Sequence, residues 1–73
     1  MDTLDAYVEW LEEAGQIKNT KLGTILMSDG SDRLARRGDT EWGPAVIYED
    51  LDGSFRSAGT AIAATFEAMP WTR

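Results

Sequence analysis

The side chains that carry most enzymatic chemistry are missing from this chain. It has no histidine and no cysteine in 73 residues. That removes Ser-His-Asp and thiol nucleophiles and leaves zinc without a ligand set. Carboxylates are the acid–base groups that remain. Asp50 and Asp52 stand close together, but in Asp50-Leu51-Asp52-Gly53 they occupy positions where aspartate is favoured by turn geometry. Setting Gly53 at the glycine of a calcium loop puts Tyr48 and Gly59 at the first and last ligand positions. Neither can serve there, so the match fails. The expectation is a protein that is not an enzyme and has no metal site and no cofactor.

Charge and aromatic residues point to binding instead. Net charge is −6 and is unevenly spread. Residues 1–17 hold five acids and no base, and residues 38–73 hold six acids against Arg56 and Arg73. Residues 18–37 hold Lys18, Lys21, Arg33, Arg36 and Arg37 against Asp29 and Asp32. A negative field repels nucleic acid and membrane surfaces and favours basic partners. Asp2, Asp5, Glu9, Glu12 and Glu13 recur at helical spacing as a one-signed ridge, with Trp10 at its border. Such a ridge suits a basic groove, and tryptophan is enriched at interface hot spots. The bland alternative is a solvated helix face with Trp10 completing the core edge. Arg33, Arg36 and Arg37 form a basic cluster without interleaved aromatics for stacking bases. They read most simply as counter-charge to the acidic helix.

The elements that must position these groups follow from periodicity. Leu4, Tyr7, Val8, Leu11 and Ala14 make one apolar face over residues 3–14, capped by Asp2 or Thr3 and stopped by Gly15. Residues 16–21 read as a polar connection and 22–28 as a strand. Residues 32–37 fit a short helix or a hairpin's return strand through Asp29-Gly30 equally well. Residues 39–44 read as a loop. Ala45–Glu49 and Ser54–Ser57 form a hairpin that brings Tyr48 and Phe55 together. Residues 59–69 read as a second helix with an Ile62, Phe66, Met69 stripe, ended by Pro70.

The expected architecture is α+β: one small two-layer domain spanning residues 1–73. Its N-terminal amphipathic helix and C-terminal helix would cover one face of a three- or four-stranded antiparallel sheet. A core this thin, with no disulfide, makes self-association relevant. No apolar run is long enough for a membrane span. The acidic start is unlike a signal peptide, so the expected location is cytoplasmic.

In size and composition the chain resembles the short acidic proteins of phages and mobile elements that inhibit host defence, anti-CRISPR proteins among them. That likeness implies a nucleic-acid-mimicking inhibitor. The functional expectation is a binding module in which Asp5, Glu9, Trp10, Glu12 and Glu13 dock on a basic, nucleic-acid-handling partner protein. It would have no membrane partner and no direct contact with nucleic acid. The alternative is a small homodimeric structural or regulatory subunit burying Trp42, Trp71 and the second helix's stripe. A further alternative is nucleic-acid binding through Arg33, Arg36 and Arg37.

Overall fold

A computed structural model describes residues 3–69. Asp2, Pro70 and Trp71, with the capping, stop and interface roles expected of them, lie outside the described residues. The elements run α1 (Leu4–Glu13), β1 (Lys18–Leu26), β2 (Asp32–Thr40), β3 (Gly43–Glu49), β4 (Phe55–Ser57), α2 (Thr60–Ala63) and β5 (Glu67–Ala68). The strands form one antiparallel sheet in the order β4-β3-β2-β1-β5. The α+β architecture of helices on an antiparallel sheet is therefore present, with five strands where three or four were expected. No helix among the described residues is long and apolar enough to cross a membrane.

Local chemistry explains α1. The Thr3 hydroxyl accepts from the Ala6 amide at 3.1 Å and caps the first turn. At the other end Gly15 takes φ 75°, its N–H donates to Glu12 O and the Gln16 N–H donates to Leu11 O. That pair of bonds is the Schellman arrangement, which needs a residue tolerant of positive φ.

The ambiguous segment 32–37 is strand. A turn built as Asp29-Gly30-Ser31 reverses the chain into it. Asp29 Oδ1 accepts from both the amide and the hydroxyl of Ser31, at 3.0 and 2.6 Å. Asp52-Gly53-Ser54 repeats this construction between β3 and β4, at 2.9 and 2.5 Å. Both aspartates are held below the ordinary carboxylate range, first by the serine hydroxyl and then by the serine amide. The expected loop over 39–44 shrinks to a two-residue turn, Glu41-Trp42, between the paired Thr40 and Gly43.

The two helices lie on opposite faces of the sheet, not on one. Side chains alternate along each strand. On β3, Val46 and Tyr48 join Ile25 and Ala35 in a cluster packed by Ile62, Ala63 and Phe66. Ile47 between them points the other way, into a cluster with Val8 and Ile17 packed by Leu4, Tyr7 and Leu11. For the same reason Tyr48 and Phe55 do not meet: Tyr48 opposes Arg56, and Phe55 opposes Glu49. Phe55 instead stacks on Tyr7 of α1 with ring centroids 4.8 Å apart.

The second helix is one turn long rather than eleven residues. Thr65 ends it by donating its hydroxyl to Ile62 O at 2.6 Å while accepting from the Leu26 amide at 2.9 Å. The chain then extends so that Glu67 and Ala68 pair with Thr24 and Gly23. The edge of β1 needs hydrogen-bond partners, and Gly23 leaves room for the Phe66 ring. Those tertiary demands outweigh the alanines' helix propensity.

Candidate functional site

Of the described acids on α1, two are tied to the sheet and two face outward. Asp5 receives Arg36 Nη2 at 2.7 Å and Nε at 3.0 Å. Glu12 accepts from the Thr20 hydroxyl at 2.8 Å. Glu9 and Glu13 are exposed and make no ion pair among the described residues. Trp10 is 51% exposed and lies beside them, its ring 6.1 Å from Tyr7. Because Tyr7 in turn stacks on Phe55, a ladder of three aromatics fixes the outer edge of α1 to β4. The structure thus gathers Glu9, Glu13 and Trp10 into one outward surface, with Asp5 and Glu12 along its inner margin.

The basic cluster is divided. Alternation along β2 sends Arg36 to the α1 face and Arg37 to the α2 face, while Arg33 lies at the sheet's far end beside Glu49. Arg36 neutralises Asp5, the counter-charge role read from the sequence. Arg33 donates its Nε to Glu49 O at 2.9 Å. Arg37 is exposed. The three arginines form no single surface.

Asp50 and Asp52 are occupied by turn chemistry. Asp50 Oδ1 accepts from the Leu51 amide, and Arg56 bridges both carboxylates at 2.8 and 3.3 Å.

An apolar surface lies elsewhere than on the Trp42, Trp71 and second-helix residues expected to supply one. Leu22, Thr24 and Leu26 on β1 and Leu34 on β2 share the face that α1 covers only in part. Leu34 remains 55% exposed. A groove of about 470 Å³ runs between this patch and the start of α1, floored by Leu4, Leu22 and Leu34 and edged by Asp5, Asp32, Arg33 and Glu49. The alternation Leu22-x-Thr24-x-Leu26 was visible in the sequence, but which face α1 would leave open was not.

Comparison of the chain with protein-family models, with curated proteins and with solved structures returns no match.

Proposed function

We propose that this chain is a non-enzymatic protein-binding module whose acidic α1 surface docks on a basic, nucleic-acid-handling surface of another protein. The observation that carries the proposal is the outer edge of α1. There a half-exposed tryptophan is held in an aromatic ladder beside two carboxylates with no ion-pair partner among the described residues. An aromatic anchor fixed before binding loses little conformational freedom on contact. The flanking carboxylates steer a basic partner toward it. Occlusion of a nucleic-acid groove is the corresponding biological role, as in phage inhibitors of host defence such as anti-CRISPR proteins.

Kinetics against a partner captured by pull-down test this reading. Reversing Glu9 and Glu13 to Lys should slow association and flatten its salt dependence while helical content persists. Trp10→Ala should mainly speed dissociation, with a cost of about 2 kcal/mol. Unchanged affinity in the folded double reversal would reduce the ridge to a solvated face.

The second reading, a homodimer, draws on the exposed Leu26 and Leu34. It does not draw on the Ile62 and Phe66 stripe, which packs within the chain. A monomer by light scattering across the accessible concentration range would remove it.

A further inference from the structure

Arg36 and Arg56 are ion-paired and Arg33 is bonded to a backbone carbonyl. Among the described residues the other three cations, Lys18, Lys21 and Arg37, enter no ion pair, although the chain has thirteen acids. The fold collects these three on one face. Lys18 opposes Asp39 and Lys21 opposes Arg37, so three steps on β1 match two on β2. A bulge absorbs the extra residue, with Asn19 at φ 57°. Strict alternation would put residues 18 and 21 on opposite faces; the bulge puts both beside Arg37. The same shift sets Ile17 and Thr20 against Gly38, so packing and charge placement come from one device.

Lys21 and Arg37 are directly opposed like charges, an unfavourable cross-strand pair that an anion between them would relieve. Asp39, the nearest carboxylate in register, accepts from the Asn19 side-chain amide at 3.3 Å. At this same end of the sheet the β2–β3 turn presents Trp42, 85% exposed. Beside Arg37 lies a groove of about 340 Å³ lined by Pro44, Ala58, Thr60 and Ala63. The acidic helix α1 packs on the opposite face.

We propose that this end of the sheet binds single-stranded nucleic acid. Lys21 and Arg37 hold one phosphate, Lys18 holds the next about 7 Å along the strand, and Trp42 stacks on a base. The arginine cluster of the sequence lacked an aromatic; the hairpin supplies one to a different set of cations. Two phosphates held by three cations, in a chain of net charge −6, make this a weak, salt-sensitive site.

The test uses the full chain with Trp10→Phe and Trp71→Phe, so that Trp42 is the only indole emitter. A ten-nucleotide oligodeoxythymidylate is titrated at low salt. Saturable quenching is expected, with log affinity falling against log salt with a slope of about −1.4, since each of two phosphates on a single strand contributes about −0.7. Lys21→Gln and Arg37→Gln should each weaken binding about threefold to tenfold, and Trp42→Ala about tenfold by a non-optical assay. These side chains are exposed, so circular dichroism should be unchanged; Lys18→Gln serves if either variant unfolds. Glu9→Lys with Glu13→Lys should leave the phosphate-dependent losses in place, which separates this site from docking through α1. Absent quenching, or quenching indifferent to the Lys and Arg variants, overturns the proposal. Equal binding of inorganic triphosphate also overturns it, because the site would then be one for simple anions.

Discussion

The two faces of this sheet are closed in different ways. On one, the ten-residue α1 lies across Ile17 and Ile47 and presses its own Val8 onto them. On the other, one helical turn and an extended tail press Ile62, Ala63 and Phe66 onto Ile25, Ala35, Val46 and Tyr48. A long helix covers a narrow stripe of floor and carries an outer surface of its own. A turn and tail spread along the floor and present little outward. The α1 face therefore holds both the Glu9–Trp10–Glu13 edge and the open leucine surface. The α2 face is sealed over its centre, and its free chemistry is pushed to the end where Lys18, Lys21 and Arg37 sit. In a domain of this size, the element chosen as a lid also decides what the protein can offer a partner.

The two faces differ most sharply at two glycines. A methyl group on Gly23 would run into the backbone carbonyl of Glu67 and, at 2.6 Å, the Phe66 ring. On the α1 face, a methyl group on Gly38 would meet side-chain atoms of Ile17 and Thr20 at 2.6 to 2.9 Å. A strand carbonyl cannot move away without losing β5, whereas side chains can rotate. Gly23→Ala should destabilise by about 3 kcal/mol or more, and Gly38→Ala by about 1–2 kcal/mol. Denaturant unfolding of both variants checks this, and a larger loss at Gly38 would reverse the ranking of the two lids.

The next effect isolates α1. Thr3→Ala removes the acceptor for the Ala6 amide and should cost about 1 kcal/mol. If α1 is the lid that matters for docking, this variant should also weaken partner binding. It should leave oligonucleotide affinity at the far end of the other face unchanged. Calorimetric melting and the two binding assays report the three quantities separately.

The smallest effect concerns the paired turns. Asp29 and Asp52 titrate below the usual carboxylate range in the folded chain because serine hydroxyls and amides bond their charged forms. A depressed folded value contributes stability above the unfolded value, near 3.9. That contribution is lost as pH falls through the folded value. Replacing both with Asn should lower stability slightly near neutral pH and flatten its decline below about pH 4. Melting curves at stepped pH check the slope, and an unaltered acid limb would mean the turns contribute nothing there.

Short-range chemistry was legible in the residues themselves. Thr3, the acidic and apolar stripes of the first helix, and Gly15 specify α1 without reference to anything distant. Asp-Gly-Ser at 29–31 and at 52–54 marks both turns, since each aspartate bonds a serine two positions on, although the first left open whether a strand or a helix follows. The acidic ridge and the border position of Trp10 follow from helical spacing alone.

What distance decided was different in kind. Residues 32–37 became strand because β1 and β3 both offered backbone partners, not because of propensity. The alanine-rich stretch after Gly59 gave up all but one turn of its helix to satisfy the edge of β1 and lay Phe66 over Gly23. Lys18 and Lys21 came to one face through a single bulge that no period-two reading could place. Which carboxylates stayed free was settled by Arg36 and Thr20 reaching α1 across the sheet. Helix faces and tight turns are written in residues a few positions apart, so the sequence determines them. Sheet partners, lid coverage and the pairing of charges depend on residues tens of positions apart, so only the folded chain could decide them.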